Sequence, residues 1–204
     1  MSEWWTYRLS DFLMFAPGTY WRLVAQYNQA YWPMHALAAA LGVALLVLAR
    51  SAHRRPLAAR LVPALLAACW AWVGWAFHWQ RHAEINTAAQ WLAMAFFTQA
   101  ALLAVLALWP TGGTPNPRRG TAENAGWWLA LAGLAVYPLL GSFAGRPWSQ
   151  GELFGMAPDP TAWVSIGLLL AMRNAWPVAL RWLALLIPVL AVAVGLATLW
   201  TMAG

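Results

Sequence analysis

Six stretches of the chain are almost free of charge: Tyr31–Ala49, Leu61–Trp79, Ala88–Trp109, Trp127–Phe143, Phe154–Met172 and Pro177–Trp200. A helix needs roughly 17–25 residues to cross the hydrocarbon core of a bilayer, and each stretch fits that length. The pattern predicts an all-α membrane protein, a bundle of six transmembrane helices over residues 30–204. Residues 1–29 read differently. Trp4, Trp5, Tyr7, Phe12, Leu13, Phe15, Tyr20, Trp21 and Leu23 are mixed there with Arg8, Asp11 and Arg22, and Ala16-Pro17-Gly18 divides the segment in two. Ser10 or Asp11 can start one short helix, and Pro17 or Thr19 another. An aromatic-rich amphipathic segment lying in the membrane interface is expected.

The charges between the runs orient them. Arg50, Arg54, Arg55, Arg60, Arg118, Arg119, Arg173 and Arg181 fall on one side of the six-pass path. Arg8, Arg22, Arg81 and Arg146 fall on the other, with Glu3, Asp11, Glu84, Glu152 and Asp159. Arginine-rich loops stay inside. Both termini are therefore expected outside, in a multi-pass protein of a bacterial cytoplasmic (inner) membrane. No basic segment followed by an apolar core and a cleavage site opens the chain, so no cleavable signal peptide is expected.

Composition supports the same class. The chain is 62% hydrophobic and 9% charged, proportions foreign to a water-soluble domain. Its excess of arginine would suit nucleic acid, but those arginines are the inside-loop charges, so no nucleic-acid partner is expected. Cys69 is the one cysteine, so no intrachain disulfide can form. Of 17 tryptophans, Trp32, Trp79, Trp109, Trp127, Trp128, Trp148, Trp176, Trp182 and Trp200 lie near run ends, as an aromatic belt requires. Trp70, Trp72, Trp75 and Trp163 lie deeper, either as packing or as a stacking wall for a flat apolar ligand.

Helix ends and breaks can also be read. Pro33 suits a first helical turn, Asn86 or Thr87 can cap the third run, and Asp159-Pro160-Thr161 reads as a cap followed by Pro at the first position. Pro138 and Pro188 fall inside runs, where each should kink the helix and free a carbonyl. Small residues four apart, among them Ala191 and Gly195, permit close packing.

Candidate chemistry gathers at the outer ends of the runs. Counting back from Arg50 puts His35 roughly 7 Å below the outer boundary, and counting from Arg173 puts Asp159 roughly 9 Å below it. His78 closes the second run, Tyr137 lies at similar depth, and His82, Glu84 and Asn86 occupy the short outer loop. Ionisable groups at membrane depth are costly and mark a cavity or a partner. Imidazole with carboxylate suits a transition metal, for which His35, His78, His82 and Asp159 are the candidate ligands. His35, Tyr137, Asn86 and Trp32 are the candidate substrate contacts. The same groups also serve as helix caps or ordinary bundle residues. No Asp, Glu or Arg lies near the middle of any run, which disfavours a carboxylate-driven pump. No phosphate loop, HExxH or CxxC spacing occurs, so an enzyme is the less favoured class.

Several short motifs carry a resemblance: Tyr27-Asn28-Gln29-Ala30-Tyr31-Trp32-Pro33, Phe77-His78, Ile85-Asn86, Tyr137-Pro138-Leu139 and Phe154-Gly155-Met156-Ala157-Pro158-Asp159-Pro160-Thr161. Together they resemble a bacterial family of small polytopic membrane proteins classed as a domain of unknown function. The likeness runs from about Asp11 to the end of the chain. It implies a membrane bundle with the matched residues on the outer side, and no activity. The sequence then supports facilitative transport or handling of a metal ion or small solute at an outward-facing His/Asp/Tyr site. The alternatives are a subunit or assembly factor docked on partner subunits or on a second copy, and a redox enzyme holding metal, haem or quinone.

Overall fold

The computed structural model describes residues 15–110 and 120–203. The aromatic stretch from Trp4 to Leu13 and the loop arginines Arg118 and Arg119 lie outside the described residues. The described chain forms seven helices and no strand. They are α1 (Pro17–Ala30), α2 (Trp32–Ser51), and α3 (Pro56–Trp72), which runs on through a π-helical turn at Val73–Trp79. Then follow α4 (Ala89–Leu108), α5 (Thr121–Phe143, π-helical over Ala132–Val136), α6 (Pro158–Ala171) and α7 (Val178–Ala203).

Five of these, α2, α3 with its extension, α4, α5 and α7, are long and apolar enough to cross a membrane. Their outer faces carry large apolar side chains that a water-soluble protein would cover, such as Leu37, Val43 and Val47 on α2 and Leu186, Val189 and Leu190 on α7. Trp32, Trp91, Trp128, Trp148, Trp182 and Trp200 are all more than half exposed, close to helix ends.

The fifth run, Phe154–Met172, is not among these five helices. Its helix starts only at Pro158 and has 14 residues, about 21 Å at 1.5 Å per residue. Two features stop it from starting earlier. Gly155 takes a left-handed φ of 74°, and Pro158 and Pro160 have no N–H to donate to a preceding turn. Ala157 occupies the cap position, so Asp159 does not cap the helix, and its carboxylate is left for other work. The irregular segment before α6 is not wasted. Glu152, Phe154, Gly155, Met156 and Ala157 are buried in protein, the condition under which non-helical backbone is tolerated in such a bundle.

α6 is the core helix. Most of its residues from Pro160 to Leu169 are buried, and it packs on α5 and α7 and touches α2 and α3. Its approach to α5 is close because both sides lack bulk. A Cβ on Gly126 would come within 2.6 Å of the Ala171 nitrogen and the Gly167 oxygen, and one on Gly167 would strike the Ala130 backbone. Hydrogen bonds fill the gaps that packing leaves. Trp70 Nε1 donates to Ser165 Oγ (2.8 Å), and Ser165 Oγ donates to the Thr161 carbonyl (2.7 Å). Pro188 frees the Ala184 carbonyl in α7, as its position predicts, and Gln99 Nε2 of α4 donates to that oxygen at 2.9 Å. At the arginine-rich end Glu123 is buried against Arg173 (3.2 Å) and Asn174 (2.7 Å), and it accepts from its own helix start at Gly120 N (2.7 Å).

The backbone contact at Gly126 makes a direct prediction. Gly126→Ala should lower stability by about 1–3 kcal/mol, because the neighbouring atoms are backbone and cannot swing away. Gly18→Ala, where nothing lies within 4 Å, should be neutral or slightly stabilising. Thermal midpoints of the two variants in detergent check this; equal midpoints would contradict it.

Candidate functional site

Two π-helical turns sit beside the polar end of the bundle. In α3 the turn Val73–Trp79 carries His78, and Gln80 N bonds back to the Trp75 carbonyl at 3.0 Å. In α5 the π segment ends at Val136, immediately before Tyr137. Such turns widen a helix by one residue and recur at functional sites. Here one precedes Pro138, and the other contains His78 and ends three residues before His82.

Between α3, α4 and α7, and under the segment that leads into α6, lies a cavity of about 140 Å³. Its polar lining is His78, His82, Glu152, Asp159, Tyr20 and Thr198; Phe77, Phe96, Leu92 and Ile187 supply apolar wall. Leu190 and Val194 of α7, about half exposed, form part of the rim, so the cavity reaches the outer apolar surface of the bundle.

Each polar group is held by a named contact. Tyr137 Oη donates to Asp159 Oδ2 at 2.8 Å, and Tyr20 Oη donates to Glu152 Oε1 at 3.2 Å. His78 Nδ1 and His82 Nδ1 lie 3.3 Å apart, and neither Nε2 has a partner. The Asp159 carboxyl rests against Gly195, where any Cβ would overlap it. Arg146 stacks on the Trp21 ring at 3.5 Å, close enough for its charge to act on Glu152.

The helix α1 brings Tyr20 to this place. Its buried residues Tyr20, Leu23, Val24 and Tyr27 form one helical stripe. Asn28 pins its far end, donating to the Ser149 carbonyl (2.9 Å) and the Gly151 carbonyl (2.8 Å). That fixes the Asn28 oxygen toward His35, so His35 Nε2 donates to it at 3.1 Å. His35 therefore ties α1 to α2 and to the chain just before Glu152.

The residues expected from the sequence divide accordingly. His78, His82 and Asp159 line the cavity, and Tyr137 holds Asp159. His35 is engaged in the Asn28 tie. Trp32 is 72% exposed and stacks on His35 at 5.8 Å. Asn86 Oδ1 accepts from Ala88 N at 2.9 Å in the turn before α4. Neither lines the cavity. Among the described residues no three His, Cys, Asp or Glu side chains come together as ligands for a metal ion. Of the deeper tryptophans, Trp70 is fully buried and packs on Phe96 at 4.3 Å, and none of the four lines the cavity.

Tyr20, Glu152 and Gly195 are additions that the sequence left unmarked. Glu152 reads as a loop charge, although it stands seven residues before Asp159 in an otherwise apolar stretch. Gly195 reads as a helix-packing residue; what packs on it is a carboxyl group.

Burial pushes the Glu152 carboxyl up to about 7; the Asp159 charge pushes the same way, while Arg146 and the Tyr20 hydrogen bond oppose both. Burial and the adjacent Glu152 charge hold the Tyr20 phenol far above its usual value, so it remains a hydrogen-bond donor.

The chain belongs to the family of unknown function DUF6064, which it matches over residues 18–203. Neither the curated proteins nor the solved structures contain a match to it.

The Glu152 shift fixes the sign of a pH effect. Its ordinary value is 4.5, so between about pH 4.5 and 7 the folded protein keeps a proton that the unfolded chain releases. This contribution is full below that window and lost as pH rises through it, a swing on the order of 3 kcal/mol. The thermal midpoint of the wild type, compared with Glu152→Gln, should fall more steeply between pH 4.5 and 7.5. Identical slopes would contradict the shift.

Proposed function

We propose that this chain is a multi-pass protein of the bacterial cytoplasmic membrane that binds a small, largely apolar solute in the cavity at its outer end and eases its passage. The carrying observation is the cavity itself, about 140 Å³ of space with four ionisable side chains at one end of a lipid-facing bundle. Pockets of this make, an apolar wall with a few converging polar groups, are the usual form of small-molecule sites. A metal ion is the less favoured cargo, because His78 and His82 have no third ligand among the described residues.

The orientation follows from the arginines. Arg50, Arg54, Arg55, Arg173 and Arg181 lie at the end opposite the cavity, which supports that end as cytoplasmic and both termini as outside. α6 with its buried lead-in serves as the sixth pass, and α1 lies across the outer end as an interfacial helix. Irregular backbone beside a polar cavity is how a bundle admits a solute without exposing open hydrogen bonds to lipid.

Native mass spectrometry of the protein released from nanodiscs tests this reading. A small molecule should leave with the wild type, and Ala95→Leu and Ala191→Leu, which fill the cavity from α4 and α7, should lose it while keeping the wild-type thermal midpoint. The molecule so identified should equilibrate across proteoliposomes faster with wild type than with Ala191→Leu. An empty wild-type protein, or equal rates, would refute the reading, and reporter fusions placing Arg54 outside the cell would refute the orientation.

A further inference from the structure

On the reading that the cavity is a ligand site, its charges specify the class of ligand. Two carboxyl groups stand in its lining, Glu152 and Asp159, and among the described residues no arginine does. Each carboxyl is placed at the cavity by contact with a second lining residue. Glu152 Oε1 accepts from Tyr20 Oη at 3.2 Å, and the Asp159 carboxyl lies against Gly195. The two are close enough for the Asp159 charge to act on Glu152. Neither has a cation in ion-pair contact: among the described residues the ion pair is Arg173 with Glu123, at the opposite end of the bundle. Arg146 acts on Glu152 from outside the lining, with its guanidinium over the Trp21 ring. His78 and His82, the basic groups of the lining, make no ion pair with either carboxyl. Tyr20 and Tyr137 donate hydrogen bonds to the two acids, but a phenol brings no positive charge. Buried carboxylates are normally met by a cation, and ionisable groups at membrane depth mark a partner or a pathway. The counter-charge is what this pair lacks.

The rest of the wall decides which kind of cation fits. A metal ion needs several oxygen or nitrogen ligands around it. Among the described residues no such group of side chains forms, and Phe77, Leu92, Phe96 and Ile187 offer hydrocarbon instead. An ammonium group needs only acceptors for its N–H donors, which the two carboxyls supply, and an apolar body can fill the remaining space. The volume of about 140 Å³ is near the ~150 Å³ of an apolar cavity that takes up benzene, so a body of one ring fits. The exposed rim at Leu190 and Val194 opens the space toward lipid, where a longer tail can leave. We infer that the cavity takes an organic amine in its protonated form, with the ammonium held by Glu152 and Asp159 and the apolar body against the hydrocarbon wall. The solute is then a cationic amphiphile. Binding also moves a proton. Burial holds the Glu152 carboxyl at about 7, with Asp159 pushing the same way and Arg146 and Tyr20 opposing. An adjacent ammonium favours the carboxylate, so near neutral pH Glu152 loses its proton to the buffer as the amine enters.

Calorimetric titration of the intact protein in zwitterionic nanodiscs with benzylamine, benzyl alcohol and benzoate tests this, with empty nanodiscs as the blank. The probes share a ring; at neutral pH the first is a cation, the second neutral and the third an anion. Benzylamine should bind wild type roughly tenfold or more tighter than benzyl alcohol, and benzoate should bind weakest. Glu152→Gln and Asp159→Asn should each bring benzylamine within about threefold of benzyl alcohol. At pH 7 the heat of benzylamine binding to wild type should vary with the ionisation enthalpy of the buffer in the sense of proton release, and that of benzyl alcohol should not. This proton readout separates a carboxyl that meets the ligand from one that only shapes the cavity. If neither variant folds, the wild-type series and its proton release decide the matter. Equal binding of benzylamine and benzyl alcohol to wild type, or a preference that survives in both variants, would overturn the inference. Equal binding that Ala191→Leu still abolishes would overturn the amine and leave the cavity as a ligand site, and no binding of any ring would remove both.

Discussion

Asp159 places a carboxyl group between two helices at a point where even a methyl group on α7 would overlap it. The polar end of the bundle follows from that placement. The carboxyl needs a hydrogen bond in its buried setting, and Tyr137 provides it from α5 at 2.8 Å. A hydrogen bond to a charged group contributes about 1.5–3 kcal/mol, and leaving such a group unmet costs as much or more. Gly195, Tyr137 and the non-helical lead-in to α6 are three parts of one solution. With Asp159 seated, the lead-in can bring Glu152 to Tyr20, which closes the cavity over the histidines.

The same economy governs the rest of the core. Pro188 and Pro138 each fall inside a helix, and the bundle meets the first with a side chain and the second with a change of helical pitch. Gln99 takes the carbonyl that Pro188 releases. The π segment Ala132–Val136 ends one residue before Tyr137 and two before Pro138. At the opposite end Glu123 joins the start of α5 to Arg173, so the short α6 is held at both ends by acidic residues with different partners. These contacts anchor both ends of the core helix, while the outer faces of α2, α4 and α7 remain plain apolar surface.

Much of this was legible in the sequence. Charge-free runs with arginine between them gave five of the long helices, because length and hydropathy alone decide whether a helix suits a bilayer. Pro188 announced its free carbonyl, and the depth of His78, Asp159 and Tyr137 announced a polar layer. The start of the fifth run was not legible, because Phe154–Ala157 is as apolar as a helix but buries its irregular backbone in protein, and a left-handed Gly155 leaves no mark on hydropathy. His35 looked like a ligand by depth, yet depth does not say which neighbour a ring faces; Asn28, seven residues away, takes its Nε2. Tyr20 and Glu152 were hidden because their meeting spans 132 positions and depends on how α1 folds over the bundle.

Asp159 and Gly195 form one structural unit. A double-mutant cycle measures it directly, with thermal unfolding in nanodiscs read for Gly195→Ala, Asp159→Ala and the double variant. Gly195→Ala alone should destabilise by about 1–3 kcal/mol. In the Asp159→Ala background, where the carboxyl is gone, the same change should cost almost nothing. Additive effects of the two substitutions would contradict the account.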